Sequence, residues 1–180
     1  MPGGIFTRTA MRAALAAYLQ DAVDNREIPW LAEVYPHAAK ITPMGDLASD
    51  NPNAGDGIGA GLWIKLEESH ERRVALGHKI KTYTVQLDVI LLSYQTEAEV
   101  AEAANDDLLD GLEGVIVNDR NAGTGATGTG TDAVWQWGEG EGPMGGTDIH
   151  VACGYPTVRN GSRVELRSRV TVAASQFLTG

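Results

Sequence analysis

Hydrophobic and polar positions alternate along residues 82–91 of the chain. The apolar positions are Tyr83, Val85, Leu87, Val89 and Leu91, and between them lie Thr84, Gln86, Asp88 and Ile90. Successive side chains of a strand point to opposite faces of a sheet. This period of two therefore predicts a strand with one apolar face and one mostly polar face. We expect the apolar face to be buried in the core.

The hydrophobic period changes within a few residues of that strand. Thr96 and Glu99 have the T-x-x-E spacing of a capping box at a helix start. Apolar residues then recur at helical spacing, namely Ala101, Ala104, Leu108, Leu112, Val115 and Ile116. The pattern predicts a long amphipathic helix directly after the strand. Asp106, Asp107 and Asp110 are expected on its solvated side, as an acidic surface that is open to a partner.

Two further elements precede this strand–helix unit. Residues 5–23 are predicted to form a helix, with Thr7 or Thr9 as its N-cap and an apolar face that comprises Met11, Leu15, Tyr18, Leu19 and Ala22. In residues 62–67 apolar and polar positions alternate again, which predicts a second strand. We expect this strand to form an antiparallel hairpin with the first one, through a charged connection at residues 67–73.

The C-terminal part of the chain predicts a second hairpin. Residues 148–157 and 164–174 are predicted strands on either side of Asn160-Gly161, a dipeptide favoured in tight hairpin turns. In the last strand one face carries Val164, Leu166, Val170 and Val172, and the other carries Glu165, Arg167, Arg169 and Thr171. The two arginines are therefore expected on the polar face of the sheet.

Two segments rich in glycine and polar residues interrupt these elements. One is a loop at about residues 43–59, and the other is a Gly/Thr-rich arm at about residues 121–147. Trp135 and Trp137 lie on one side of a short predicted strand within the second segment. They are either buried in the core or an anchor for another subunit. We favour the anchor, because the segment is too polar to form a core of its own.

The order of these elements predicts the fold class. Helix, strand, strand pair, helix and strand pair indicate an α+β plan in a single domain over residues 1–180. We expect a mostly antiparallel sheet with two main helices packed on one face. The Gly-rich segment is expected to be an extended loop or hairpin arm.

The composition limits the possible functions. The 180 residues carry a formal net charge of -10, and 43% of them are hydrophobic. A free-standing nucleic-acid binder usually presents a basic face, so we expect no tight binding to DNA. No apolar run reaches the roughly 20 residues of a membrane helix, so we expect no membrane association. Cys153 is the only cysteine, which excludes an intramolecular disulfide, and we expect it to be a small buried residue.

No motif in the chain predicts catalysis or a cofactor. Residues 123–128 match G-x-G-x-x-G, but they follow a predicted helix instead of a strand, so we interpret them as a loop. The four histidines are scattered and lack the spacing of a zinc site. We therefore predict that the protein is not an enzyme and holds neither a metal nor a cofactor. The alternative is an active site on the polar sheet face, lined by Asp88, His150 and Arg169.

The order and hydrophobic pattern of these elements resemble those of a known protein family, the tail terminator (tail completion) proteins of long-tailed bacteriophages. The likeness lies in an Ala/Leu-rich helix at residues 8–23, an extended segment at 28–35, strands at 62–66 and 82–89, a helix at 97–117 and a closing hairpin at 154–172. It covers most of the chain. The two Gly-rich segments are longer than the family's minimal form.

The resemblance implies a structural virion protein that is assembled in the host cytoplasm. Such proteins form a homohexameric ring at the head-proximal end of the tail tube, stop tube polymerisation and offer the attachment surface for the head connector. The implied partners are further copies of the chain, the tail-tube protein and the head–tail connector or stopper. DNA passes through the lumen without specific binding. The alternatives are a head–tail connector (stopper or adaptor) and a tail-tube subunit.

Interface residues are expected on loops and on charged faces. The candidates are Trp135, Trp137 and Asp132 in the Gly-rich segment, Asp50 and Asp56 in the first loop, Asp106, Asp107 and Asp110 on the long helix, and Arg167 and Arg169 on the last strand. The helix aspartates and the arginines are electrostatic complements, so we expect contacts of one with the other between subunits.

Overall fold

A computed structural model describes residues 7–37, 57–94, 97–118, 135–138, 148–159 and 163–179. These residues form two helices and seven strands: α1 Arg8–Asp24, β1 Leu31–Tyr35, β2 Ile58–Ala75, β3 His78–Ser93, α2 Ala98–Asn118, β4 Trp135–Trp137, β5 Ile149–Cys153, β6 Thr157–Arg159 and β7 Arg163–Thr179. The predicted α+β class with a mostly antiparallel sheet is confirmed.

The long strand β7 organises the sheet. The strand order is β1-β2-β3-β7-β4, and β5 and β6 also pair with β7. One edge of β7 pairs with β3 over its whole length. Its other edge pairs in turn with β6, β5 and β4, all antiparallel. The parallel pair β1–β2 is the exception to the antiparallel arrangement, and the sequence pattern did not predict it.

The predicted apolar face of β3 is confirmed. Tyr83, Val85, Leu87, Val89 and Leu91 are all fully buried. Their cross-strand partners on β7, such as Val172 opposite Val85 and Val170 opposite Leu87, belong to the same hydrophobic cluster. Burial of such branched side chains stabilises the fold by roughly 1.5–3 kcal/mol each.

Helix α1 begins at Arg8, directly after the first of the two predicted N-cap residues. The Thr7 side chain accepts a hydrogen bond from the Ala10 backbone N–H at 3.2 Å, which confirms Thr7 as the N-cap. Met11, Leu15 and Leu19 recur at helical spacing and are fully buried. The helix contacts β1 and β2, and Gln20 Oε1 accepts a hydrogen bond from the Val34 backbone N–H.

Helix α2 contacts β7 and β3. Its predicted apolar face is confirmed, because each of its six members is buried, namely Ala101, Ala104, Leu108, Leu112, Val115 and Ile116. No helix among the described residues is long and apolar enough to cross a membrane.

The connection between β2 and β3 differs from the prediction. Residues 67–73 are part of β2, and the turn lies at Leu76 and Gly77, where Gly77 has a positive φ of 81°. Leu66 is the last residue of β2 in the hydrophobic cluster. Residues 67–73 of β2 are all polar or charged, so no alternation of apolar and polar residues marks this part of the strand. We call residues 69–82 the β2–β3 arm.

Two smaller predictions are also corrected. Ile58 and Gly59, which were assigned to the first loop, begin β2, where they pair with Ser93 and Leu92 of β3. Cys153 is exposed instead of buried. It ends β5, whose residues lie at the edge of the sheet and are exposed or half-buried.

Candidate functional site

The outer side of α2 is an acidic surface. The helix contains six carboxylates and no lysine or arginine, and Asp106, Asp107 and Asp110 are exposed, as predicted. Glu102, Asp106 and Asp110 follow one another at a spacing of four residues, so like charges are neighbours on the helix surface. Each such pair costs a few tenths of a kcal/mol. A cationic partner would relieve this repulsion.

The predicted arginines lie together on one face of β7. Arg169 Nε donates to Asp88 Oδ1 at 2.7 Å, and Arg167 Nε donates to Glu165 Oε1 at 2.6 Å. Asp88 is directly opposite Arg169 in the β3–β7 register. The hydrogen bond from Arg169 to Asp88 and the charge of that carboxylate raise the pKa of Arg169. Asp88 and Arg169 also stand together in the alternative active site that the sequence predicted, whereas the pairing of Arg167 with Glu165 was not predicted.

The two ion pairs orient the guanidinium groups but leave a large part of each arginine side chain exposed. The side chains of Arg167 and Arg169 are 64% and 52% exposed. In both arginines the hydrogen bond to the carboxylate is made by Nε. An arginine held at Nε presents a planar fork of donors that suits a carboxylate. We call these two residues the arginine pair.

The arginine pair points away from the face of β7 that contacts α2. Ser168, which lies between the two arginines, donates a hydrogen bond to Asn105 of α2. Because alternate side chains of a strand point to opposite faces, Arg167 and Arg169 point away from the helix. The two charged surfaces therefore cannot neutralise each other within one chain, whereas they can do so between two copies.

The two tryptophans of the Gly-rich segment are not at an exposed surface. Trp135 and Trp137 are each only 2% exposed and belong to the core cluster. Their rings make edge-to-face contacts with each other at 5.1 Å and with Tyr18 of α1 at 5.6 and 6.2 Å. The favoured interpretation as an anchor for another subunit is wrong, because both rings are buried in the core of their own chain, against Tyr18.

Three further candidates lie outside the described residues. They are Asp50 and Asp56 of the first loop and Asp132 of the Gly-rich segment. Their roles at an interface stay predictions. The predicted loop at about residues 43–59 and the predicted arm at about residues 121–147 also lie mostly outside the described residues.

The alternative active site is only partly assembled. Asp88 and Arg169 are in contact, and His150 pairs with Thr171, two residues along β7 from Arg169. All three side chains lie on the same side of the sheet, and His150 is exposed. Within the described parts of the chain, no group of three or more His, Cys, Asp or Glu residues could hold a metal ion. The arrangement is that of an exposed ion pair.

A groove between the two helices was not predicted. It has a volume of about 460 Å³ and is lined by Tyr18, Asp21, Ala22, Glu27, Gly111, Gly114 and Val115. The Tyr18 hydroxyl donates to the Val115 carbonyl across it at 3.2 Å. A Cβ on Gly111 would lie 2.7 Å from Pro29 Cδ, so glycine permits close packing there. The paired glycines of α2 are the only sequence signal that marks this groove.

The geometry thus contains two opposed charged surfaces and an acidic groove. No protein-family model matches the chain, and no curated protein is significantly similar to it.

Proposed function

We propose that the chain is a structural subunit that assembles with copies of itself into a closed ring. In this proposal the ring caps the head-proximal end of a phage tail tube, stops tube polymerisation and provides the attachment surface for the head connector. The observation that carries the proposal is the placement of the arginine pair on the side of the sheet opposite the acidic surface of α2.

Such a placement favours head-to-tail association. When the acidic surface of one copy meets the arginine pair of the next, each copy keeps one unused surface of each kind. Repetition of this contact closes into a ring when the rotation allows it, and otherwise produces a filament. Close charge pairs across an interface also fix the register of the partners and exclude other partners.

The proposed packing of the helices leaves the arginine face available. Buried residues of α1 and α2 belong to one cluster with the apolar face of β3, so we take both helices to cover the same face of the sheet. The opposite face carries Arg167 and Arg169, whose exposed side chains can then meet a neighbouring subunit.

The charge balance agrees with a DNA conduit. With a net charge of -10, a ring of these subunits would repel the phosphate backbone more than it binds it. DNA would pass through the lumen without specific binding. The proposed location is the virion tail, after assembly in the host cytoplasm.

Deletion of the gene from its phage tests this function. Negative-stain electron microscopy of the lysate should show overlong, headless tails, because the tube has lost its stop signal. Tails of normal length beside unjoined heads would identify the protein as a component of the head–tail connector instead. Complete virions would overturn the assembly function. Expression of the wild-type gene in trans is the control, and the same gene with Arg167→Glu and Arg169→Glu should fail to rescue.

A further inference from the structure

The end of the β2–β3 arm exposes a large apolar side chain. Leu76, in the turn between the strands, is 97% exposed, whereas turn positions usually hold Gly, Pro, Asn, Asp or Ser. The arm continues the sheet beyond Leu66, the last residue of β2 in the core cluster. From Ser69 to Leu76 it extends about 20 Å at the rise of a strand. Leu76 thus lies about 13 Å beyond Ile80, a buried residue of the same arm.

Basic residues surround this leucine. Arg72, Arg73, Lys79 and Lys81 lie on the two strands of the arm, where Arg72 pairs with Ile80 and Arg73 with Lys79. The main counter-charge is Glu71, whose carboxylate is 3.9 Å from Lys79 Nζ and 3.5 Å from Lys81 Nζ. The arm therefore carries excess positive charge in a chain whose formal net charge is -10.

The groove between α1 and α2 has the complementary character. Asp21 and Glu27 lie at its rim, and no basic residue lines it. A Cβ added to Gly114 would meet nothing within 4 Å, so this part of the groove is open. Its volume of about 460 Å³ falls within the roughly 300–1,000 Å³ of pockets that bind small molecules. One leucine side chain and part of its neighbours can enter such a space.

The arm of a chain cannot reach the groove of the same chain. Arg8, in the first turn of α1, donates to Leu66 O and Ser69 Oγ at the base of the arm. Asp21 lies 13 residues further along the helix, or about 20 Å. The helix runs away from the arm, because Gln20 bonds to Val34 of β1, which is paired with Leu62 near the start of β2. Only a second molecule can bring the two features together.

We propose that Leu76 of one copy inserts into the α1–α2 groove of the next copy, with Arg73 and Lys79 beside Asp21 and Glu27. This contact rests on the proposed self-assembly, and it names the surfaces that join the subunits. This contact runs in the same direction around the ring as the contact between the arginine pair and the acidic surface. In both contacts the helices of one copy supply the acidic residues and the next copy supplies the basic residues. Each copy donates one arm and receives another.

Disulfide trapping tests the contact directly. In a Cys153→Ser background, Leu76→Cys combined with Gly114→Cys should give a ladder of covalent multimers on a non-reducing gel, and the ladder should collapse on reduction. Leu76→Cys alone should give at most a dimer. Leu76→Cys with Ala103→Cys is the matched control, because Ala103 is exposed on α2 more than two turns from Gly114. An equal ladder in this control would overturn the proposal.

Charge reversal supplies an independent test by mass photometry. Arg73→Glu and Glu27→Lys should each raise the concentration needed for assembly at least tenfold, and the two changes in one chain should restore it. A mixture of the two single variants should also restore assembly, with the two variants alternating, because each contact between unlike copies pairs opposite charges. Asp148→Lys, with a similar change of charge at an exposed residue outside both the groove and α2, should assemble normally. If the wild type forms rings but the cysteine pair gives no ladder and the charge reversals have no effect, only this contact is overturned. If the wild type is a monomer at all concentrations, the ring is overturned as well.

Discussion

The buried hydroxyl of Ser168 on β7 donates a hydrogen bond of 3.1 Å to Oδ1 of Asn105 on α2. The two residues are 4% and 2% exposed. Polar groups that are buried to this extent are costly unless they are paired. The bond therefore fixes α2 on the apolar side of β7 and, by the alternation of the strand, turns Arg167 and Arg169 outward. One local contact thus determines that the two charged surfaces are opposed.

Removal of the hydroxyl should weaken the fold. Ser168→Ala leaves Asn105 Oδ1 buried without its partner, so we expect the free energy of unfolding to fall by about 1–3 kcal/mol. In the double variant Ser168→Ala with Asn105→Leu the loss should be smaller than the sum of the two single losses. Urea unfolding followed by circular dichroism measures all three values, and strictly additive losses would show that the two side chains do not interact.

Truncation of Trp137 distinguishes a residue that packs in the core of its own chain from one that anchors another subunit. Because Trp137 is buried against Tyr18 and Trp135, Trp137→Ala should lower the free energy of unfolding by about 3–5 kcal/mol. The measurement is denaturant unfolding under conditions in which the chain is monomeric. An anchor for another subunit would behave differently, with an almost unchanged monomer and a loss that appears only on assembly.

The sequence predicted those parts of the fold in which one strand or helix has a single buried face. The alternation in β3 and the helical spacing of Leu108 and Leu112 each reflect contact with one core, so the burial pattern is visible locally. Residues 67–73 of β2 have no such face, and their strand character depends on pairing with β3, which a local pattern does not contain.

Candidate residues were predictable to the extent that their charge alone decides exposure. The aspartates of α2 are exposed because carboxylates are rarely buried without a partner. The tryptophans were misjudged because a polar, Gly-rich context hides a tertiary partner, Tyr18, more than a hundred residues earlier in the chain. The Arg169–Asp88 pair joins strands through the β3–β7 register. That register became known only with the three-dimensional structure.

Neutralisation of either charged surface should weaken self-association. Arg167→Ala with Arg169→Ala, or the triple change Asp106→Asn, Asp107→Asn and Asp110→Asn, should raise the Kd for assembly about tenfold or more, since close interfacial charge pairs couple by roughly 1.5–7 kcal/mol. The unfolding free energy of the monomer should change by less than about 1 kcal/mol, because exposed ion pairs contribute little.

Salt provides the companion measurement for these variants. Wild-type assembly, followed by analytical ultracentrifugation, should weaken between low and high ionic strength, where the screening length falls from about 10 Å at 0.1 M to about 3 Å at 1 M. The neutralised variants should show a flatter dependence. An assembly that strengthens with salt would indicate an apolar interface and contradict the electrostatic contact.

Alkaline pH should destabilise the chain through Tyr35. The ring stacks on Trp63 at 5.0 Å, and its hydroxyl donates to Glu33 Oε2 at 2.7 Å. Burial, and then the hydrogen bond and charge of Glu33, raise the pKa of Tyr35 from 10.0 to about 12. Because the folded pKa is above the unfolded value, this contribution to stability is complete below pH 10 and is lost as the pH rises towards 12.

Spectrophotometric titration isolates the effect of this tyrosine. Tyr35→Phe should remove one phenol from the late part of the wild-type titration, because the pKa of Tyr35 is raised. The difference in unfolding free energy between the two proteins should shrink as the pH rises from 10 to 12. A Tyr35 that ionises with the exposed phenols would show that the stacked, hydrogen-bonded arrangement is absent in solution.

Two glycines of the same helix should respond in opposite directions to alanine. At Gly111 a new Cβ would lie 2.7 Å from Pro29 Cδ and 3.1 Å from the Glu27 carbonyl oxygen, whereas at Gly114 it would meet nothing within 4 Å. Gly114→Ala should therefore raise the unfolding free energy by about 0.5–1 kcal/mol through helix propensity. Gly111→Ala should lower it by about 1–3 kcal/mol, because overpacking forces the residue 27–29 segment away from α2. Thermal and urea unfolding of the two variants measure the difference, and equal stabilisation by both would mean that α2 does not pack closely against Pro29.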